Sequence, residues 1–146
     1  MKLRLDSAVA ALLLLLAVEG RAQTAPEATD PEQLVRRFVA AFNAQDVEAM
    51  VSMVTEDVEW LSVDGKSISP ETEGKEQLKT SMASYFKSCP SCRSTLAGVA
   101  ATRSRVTTIE VASWQAASGM KEQRGIAVYE LAGPLIRRVY YFPAEK

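Results

Sequence analysis

Three carboxylates are candidates for acid–base chemistry: Glu59, Asp64 and Glu110. The chain contains no histidine, so it lacks the commonest general base near neutral pH and the usual activator of Ser and Cys nucleophiles. Any proton transfer must therefore use Asp, Glu, Tyr, Lys or Cys. Both glutamates lie in segments that also hold a tryptophan. A carboxyl group desolvated beside a Trp in a pocket could act as an acid or a base.

Each candidate also has a simpler interpretation. Alternation along a strand puts Glu59 on the face opposite Trp60, whereas Glu110 shares a face with Trp114. Either glutamate could instead stand on a wet outer face. Asp64 precedes Gly65 and could simply serve an Asp-Gly turn. The sequence leaves both interpretations open for all three carboxylates.

Aromatic side chains from several segments are candidates for ligand binding, because small-molecule sites are mostly apolar with a few polar groups. The alternative is ordinary core packing. The candidate ligand-binding residues are Phe38, Trp60, Tyr85, Phe86, Trp114 and Tyr129.

Cys89-Pro90-Ser91-Cys92 holds the two cysteines of the chain. A redox-active Cys-x-x-Cys would follow a strand and open a helix, where the helix dipole lowers the thiol pKa. Here the motif follows a predicted helix and precedes a predicted strand. We therefore expect a local disulfide, with redox activity as the alternative. Two thiolates without histidine leave too few ligands for a metal, so we expect no metal and no cofactor.

The N-terminal residues predict export. Lys2 and Arg4 precede an apolar run over residues 8–18, which is too short to span a bilayer. Small residues at 20 and 22 favour cleavage after Ala22. We expect a signal peptide over residues 1–22, a flexible leader over 23–30 and a folded domain over 31–143. The protein would then be periplasmic or secreted, without stable membrane insertion; the alternative is an uncleaved anchor.

The charge balance argues against nucleic acid as a partner. The formal net charge of the chain is −1, and removing residues 1–22 makes it one unit more negative. Neither a basic patch for nucleic acid nor a polybasic membrane footprint is visible.

Two helices and a strand are predicted in the first half of the chain. Asp30 can cap a helix that begins at Pro31, and apolar residues follow at helical spacing over 34–42. Asp46 then caps a second helix that carries Val54 at its end. Residues 58–63 read as a strand.

The second half predicts one helix and four strands. Residues 67–73 read as a polar loop, and residues 74–88 as a third helix. Strand character follows over 93–102, 105–116, 121–131 and 135–142, with short turns between the last three. Strands joined in this way form an antiparallel meander. Helices first and strands later predict an α+β class.

Two sequence features carry a family resemblance: the Asn43-Ala44-Gln45-Asp46 corner between the first helices, and the final hairpin over residues 129–142 with Gly133 in its turn. Their order resembles the NTF2-like superfamily, which includes SnoaL-like proteins and relatives of ketosteroid isomerase and limonene epoxide hydrolase. The resemblance implies a cystatin-like cone, with three N-terminal helices packed on a strongly curved antiparallel sheet around a small-molecule pocket.

The ketosteroid isomerase template is incomplete in this chain. Aligned through the shared corner, its helix-borne tyrosine falls on Phe38 and its base aspartate falls on Ser62. A phenyl ring cannot donate a hydrogen bond, and Ser without a base is a poor proton acceptor. We therefore expect no isomerisation of that type.

Three functions remain open. The first is non-catalytic binding of a small apolar ligand in the pocket, which an open apolar pocket without a carboxylate would favour. The second is a SnoaL-like or epoxide-hydrolase-like enzyme with Asp64, Glu59 or Glu110 as its acid–base residue, which an open pocket with a buried carboxylate would favour. The third is a periplasmic interaction module, which a filled pocket would favour. We also expect a homodimer, with Ile136, Tyr140 and Phe142 sharing one strand face.

Overall fold

The computed structural model describes residues 30–142 and Ala144. Three helices and six strands follow one another in the described chain. Their bounds are α1 (Pro31–Ala44), α2 (Val47–Ser52), β1 (Val54–Asp64), β2 (Ser67–Glu73), α3 (Lys75–Ser88), β3 (Arg93–Ala101), β4 (Arg105–Ala116), β5 (Gly119–Ala132) and β6 (Leu135–Phe142). The predicted α+β class is confirmed.

Local capping fixes the corner between α1 and α2. The Asp30 carboxylate accepts the Glu32 backbone N–H at 3.0 Å, and α1 ends where Gln45 adopts the left-handed region with φ 56°. Asp46 then caps α2 by accepting the Ala49 N–H at 2.9 Å. Side-chain acceptors satisfy the free N–H groups of a first helical turn, so the chain reverses here within two residues.

Two predicted elements were wrong. The second helix ends at Ser52, and Val54 begins β1 instead of closing that helix. Residues 67–73, predicted as a loop, form strand β2. Pro70 argued against a strand, because proline cannot donate a backbone hydrogen bond to a neighbouring strand. It is tolerated here because β2 lies at the edge of the sheet.

The six strands form one sheet in the order β2-β1-β6-β5-β4-β3. The strands from β3 to β6 form the predicted antiparallel meander. The sheet is nevertheless mixed, because β1 pairs with β6 in parallel. Helix α3 follows the β1–β2 hairpin and leads to β3 at the opposite edge of the sheet. From there the strands β3 to β6 run back across the sheet, and the last of them, β6, lies beside β1 and parallel to it.

The helices pack on one face of the sheet, which we call the inner face. Leu34, Val35 and Phe38 of α1 are buried, as is Leu78 of α3. They join one cluster with inner-face residues of the sheet: Val106, Ala127, Tyr129, Ile136 and Val139. Burial of this apolar surface is the main force that holds the helices on the sheet.

The predicted dimer face was wrong in one residue. Leu131 pairs with Ile136 and Glu130 pairs with Arg138, so Arg137 is an extra residue that forms a bulge in β6. A bulge shifts the alternation of side chains by one position. Ile136 is therefore fully buried in the core, whereas Tyr140 and Phe142 lie on the opposite, outer face.

Candidate functional site

A cavity of about 330 Å³ lies between the inner face of the sheet and helices α1 and α3. Most of its wall is aromatic or aliphatic, and its charged and amide side chains come from the sheet. The lining residues are Phe38, Val39, Phe42, Trp60, Glu71, Met82, Tyr85, Arg93, Ser94, Glu110, Ala112, Gln123, Tyr129 and Tyr141.

Of the six aromatic residues predicted for ligand binding, Phe38, Trp60, Tyr85 and Tyr129 line the cavity. Phe38 stands between two of the others, with ring centroids 6.3 Å from Trp60 and 6.2 Å from Tyr129. Edge and tilted contacts at such distances are favourable for aromatic rings. One wall of the cavity is therefore a continuous aromatic surface.

The other two predicted aromatic residues are not part of the lining. Phe86 is buried behind it, 5.2 Å from the Phe42 ring. Trp114 has the strand parity of Glu110 but stands beyond Ala112, toward the end of β4, where it pairs with Lys121. Phe42 and Tyr141 line the cavity and were not predicted. Its spacing of four residues from Phe38 could have identified Phe42, whereas the bulge in β6 hides the strand parity of Tyr141.

Glu110 is the carboxylate within the cavity wall that is held by three hydroxyl groups. Its Oε1 accepts hydrogen bonds from Tyr129 Oη at 2.7 Å and from Thr108 Oγ1 at 2.9 Å. Its Oε2 accepts one from Ser94 Oγ at 3.1 Å. Thr108 precedes it by two residues on β4, whereas Ser94 and Tyr129 come from the neighbouring strands. Cross-strand placement thus orients the carboxylate from both sides.

A second layer positions Ser94. The Asn43 side chain at the end of α1 accepts the Ser94 N–H at 2.8 Å and donates to the Ser94 carbonyl, also at 2.8 Å. These two bonds fix the start of β3 against the helix. Asn43 was visible in the sequence only as a corner residue. Its role as a positioning residue required the tertiary structure.

Two phenols near Glu110 are held in their neutral form. Burial, followed by the charge of Glu110 and the hydrogen bond to it, raises the pKa of Tyr129 well above its usual value. Burial and then the charge of Glu110 also raise the pKa of Tyr141, and a hydrogen bond with Gln123 opposes this rise. Tyr129 therefore remains a hydrogen-bond donor to the carboxylate across the neutral pH range.

Gly125 makes room for Tyr141. A Cβ atom at position 125 would lie 2.8 Å from the Tyr141 hydroxyl oxygen and 3.1 Å from the Phe142 carbonyl oxygen. A Cβ atom 2.8 Å from the hydroxyl oxygen would force the Tyr141 side chain to shift, so glycine here lets the ring keep its position. Gly125 pairs with Glu110 across β4 and β5, which brings the Tyr141 ring to the same part of the cavity as the carboxylate.

The other two candidate acids lie outside the cavity. Glu59 is on the outer face, where it forms an ion pair with Arg138. Asp64 is exposed at the end of β1, directly before Gly65, which has φ 57°. Of the three candidate carboxylates, the structure brings only Glu110 to the cavity.

The Cys89–Cys92 disulfide is present, with the two Cα atoms 5.4 Å apart. It closes a loop at the rim of the cavity. The Pro90 carbonyl accepts hydrogen bonds from Gln45 Nε2 at 2.8 Å and from Arg93 Nη1 at 3.1 Å. The loop thus ties the α1–α2 corner to the start of β3.

Within the described residues, no group of three or more His, Cys, Asp or Glu side chains could hold a metal ion. The same part of the chain has no helix with the length and apolar character needed to cross a membrane. The predicted signal peptide lies outside the described residues.

Solved structures with this architecture are numerous but distant in sequence. A cystatin-fold protein from Novosphingobium aromaticivorans is 23% identical, with a TM-score of 0.66 over 75% of this chain and 94% of its own. An NTF2-like protein from Burkholderia pseudomallei is 16% identical, with a TM-score of 0.63 over 75% of this chain and 87% of its own. TerC, co-crystallised with polyporic acid, is 15% identical, with a TM-score of 0.64 over 77% and 89%. At these identities the likeness shows the fold alone.

Comparison with curated protein sequences gives no match. A family model does match: the SnoaL-like domain, over residues 35–139. That span includes all three helices except the first turn of α1, and every strand up to the middle of β6. Together with the NTF2-like fold of the structural neighbours, this match confirms the resemblance carried by the Asn43–Asp46 corner and the final hairpin. The chain belongs to the SnoaL-like domain family.

Proposed function

We propose that this protein binds a small, mostly apolar organic molecule in the cavity, without catalysis, and that Glu110 is the polar anchor for the ligand. One observation carries the proposal: an aromatic-walled cavity contains a carboxylate oriented by three hydroxyl groups. Apolar walls supply affinity, and a few fixed polar groups supply orientation and specificity.

The size of the cavity supports this function. About 330 Å³ is at the small end of the range of ligand sites, which begins near 300 Å³. A ligand of one or two fused or linked rings would fill it. A filled pocket would have favoured the interaction module, and side chains do not fill this one. A structural neighbour, TerC, was co-crystallised with polyporic acid, which supports the view that this fold can hold a small organic molecule.

Trp60 provides a direct test. The chain has two tryptophans; Trp60 lines the cavity and Trp114 does not. In a Trp114→Phe variant, Trp60 is the sole fluorescent tryptophan. Titration with a panel of small aromatic and alicyclic compounds should quench or shift its emission for some of them. The Trp60→Phe variant, which keeps Trp114, is the matched control, and its tryptophan emission should not change with any of the compounds.

Native mass spectrometry of gently purified protein would complement the titration. An added mass that leaves on denaturation would identify the natural ligand. If no compound changed Trp60 emission and no added mass appeared, ligand binding in this cavity would be contradicted.

An open pocket that holds a carboxylate favours a second candidate, an acid–base enzyme, although Glu110 is only partly buried. The carboxylate of Glu110 and the phenol of Tyr129, 2.7 Å apart, could hold or move a proton at the Glu110 oxygen. Binding needs only this acceptor, whereas catalysis also needs a substrate with a labile proton beside it. Once a ligand is known, its conversion can be followed by NMR. Loss of turnover in Glu110→Gln but not in Glu59→Gln would establish the enzyme.

We further propose that the protein is exported and keeps Cys89–Cys92 oxidised. The disulfide supports this location, since such bonds persist mainly in oxidising compartments. Intact-mass measurement of protein from the periplasm tests both points. Export predicts a chain that begins at Gln23 and a mass two hydrogens below that of the reduced form.

A homodimer through the outer face is also proposed. Ile109, Ile126 and Phe142 are exposed there, at 43%, 47% and 39%, next to Tyr140 of the predicted face. Light scattering that shows only monomer at high concentration would remove this proposal.

A further inference from the structure

The charge of Glu110 has no basic partner. Among residues 30–142, the ion pairs connect other carboxylates with Lys or Arg, and none of them includes Glu110. Its three hydrogen-bond donors are neutral hydroxyl groups. Hydroxyl donors can solvate a carboxylate but supply no positive charge. Glu110 is partly buried, and a carboxylate partly withdrawn from water favours a counter-charge.

We propose that the ligand is an organic cation, with an ammonium group that pairs with Glu110 and an aromatic or alicyclic body that fills the cavity. This inference rests on the proposed ligand-binding function. It adds the chemical class of the ligand.

The first support is a count of acceptor positions. An ionised carboxylate offers about four lone-pair positions, two on each oxygen. Oε1 already accepts from Tyr129 and Thr108, and Oε2 accepts only from Ser94. One position on Oε2 is therefore left for a donor from the ligand. An ammonium group can fill it with a charge-assisted hydrogen bond, about twice as strong as a neutral one.

The second support is the charge balance of the cavity. Its charged lining residues are Glu71, Glu110 and Arg93, which leaves one negative charge in excess. Arg93 lies at the rim, where its Nη1 donates to the carbonyls of Pro90 at 3.1 Å and Cys92 at 2.6 Å. The guanidinium is thus engaged by the disulfide loop and stands in solvent, so it does not neutralise Glu110.

The third support is the aromatic wall. Six rings line the cavity: Phe38, Phe42, Trp60, Tyr85, Tyr129 and Tyr141. The faces of aromatic rings carry partial negative charge and attract cations within about 6 Å, tryptophan most strongly. A carboxylate and those rings that present a face to this small space therefore act in the same direction and favour a cation over a neutral or anionic ligand.

Three compounds of nearly equal shape separate the charge states: phenethylamine, which is an ammonium ion near neutral pH, phenethyl alcohol and phenylacetate. Calorimetric titration of the exported chain should find the amine at least about tenfold tighter than the alcohol, a factor that a single charge-assisted bond can supply. Phenylacetate should bind most weakly, because its charge meets that of Glu110.

The variant Glu110→Gln keeps the shape of the side chain and removes its charge. It should bring the amine and the alcohol to within about twofold of each other, since the amide offers only a neutral acceptor. Glu59→Gln is the matched control, because the Glu59 side chain lies on the outer face of the sheet, away from the cavity; it should retain the full preference. If Glu110→Gln does not fold, the salt dependence of the wild type replaces it. Amine binding should then weaken with rising salt while alcohol binding does not.

The outcomes separate the two proposals. Equal or tighter binding of the alcohol in the wild type would overturn the cation inference and leave the ligand site standing. A preference for the amine that survives in Glu110→Gln would also overturn it, because another group would then provide the selectivity. If none of the three compounds bound and the wider panel left Trp60 emission unchanged, the ligand-binding function itself would fail.

Discussion

Two glutamates on opposite faces of the sheet have opposite surroundings. Glu59 on the outer face meets the guanidinium of Arg138, which also lies 3.6 Å from Glu130. Glu110 on the inner face meets three hydroxyl groups and no basic side chain. The outer carboxylate is neutralised by its own protein, whereas the inner one has no basic partner and keeps a free acceptor position. This difference shows which carboxylate is available to a ligand.

The largest expected effect on the free energy of unfolding comes from Tyr129, which hydrogen-bonds to Glu110 and packs in the core. Tyr129 is 2% exposed, so Tyr129→Ala should remove about 3–5 kcal/mol from the free energy of unfolding, as aromatic-to-alanine changes in cores do. Tyr140→Ala on the outer face is the matched control and should cost much less. Urea unfolding followed by circular dichroism measures both. Equal losses would mean that the two faces do not differ in packing.

The next effect concerns the second layer behind the carboxylate. Asn43→Ala removes both hydrogen bonds to the Ser94 backbone and leaves those groups without partners, at a cost of about 1–3 kcal/mol. Because Ser94 then loses its fixed position, ligand affinity should also fall. Ala44→Ser, at an exposed neighbouring position, is the control for changes at the corner. Unchanged stability and affinity in Asn43→Ala would show that β3 holds Ser94 without the helix.

The sequence predicted a good part of this site, and the missing part has physical reasons. Strand parity placed Glu110 with Trp114 on one face, and the aromatic residues pointed to a pocket. Tyr129 was predicted as a cavity residue, but the hydrogen bonds of Ser94 and Tyr129 to Glu110 could not be predicted, because they depend on cross-strand register, which a single sequence does not contain. The same limit explains why Ile136 was wrongly assigned to the dimer face: the extra residue in β6 turns its side chain into the core.

The fold was predictable where local signals are strong. Asp30 and Asp46 marked the helix starts, and short turns marked the meander. Prediction failed at β2, where Pro70 is a residue typical of loops. It also failed at the parallel pairing of β1 with β6, which depends on the edge of the sheet at which the chain begins β3 after α3. A pattern along one segment holds no information about which distant segment will lie beside it.

A smaller effect should appear at alkaline pH. The folded pKa of Tyr129 lies above its unfolded value near 10, so above that pH the folded chain binds more protons than the unfolded chain. Its contribution to stability is complete below about pH 10 and is lost as the pH rises toward the folded pKa, by about 1.4 kcal/mol per pH unit. Tyr129→Phe should flatten this decline relative to its own stability near neutral pH. Parallel declines in wild type and variant would contradict the burial of an ionisable phenol beside Glu110.

The smallest effect is expected at the outer ion pair. The Arg138 and Glu59 side chains are 26% and 32% exposed, and pairs that solvent can reach contribute about 0–1 kcal/mol. Arg138→Met, which keeps much of the aliphatic stem, should therefore change stability by no more than about 1 kcal/mol, and less in high salt. It should leave ligand affinity unchanged, because Arg138 and the cavity lie on opposite faces of the sheet. If ligand affinity fell as much in Arg138→Met as in Glu110→Gln, the two faces would be coupled through β5 and β6. The availability of Glu110 could then no longer be assigned to its local hydroxyl shell alone.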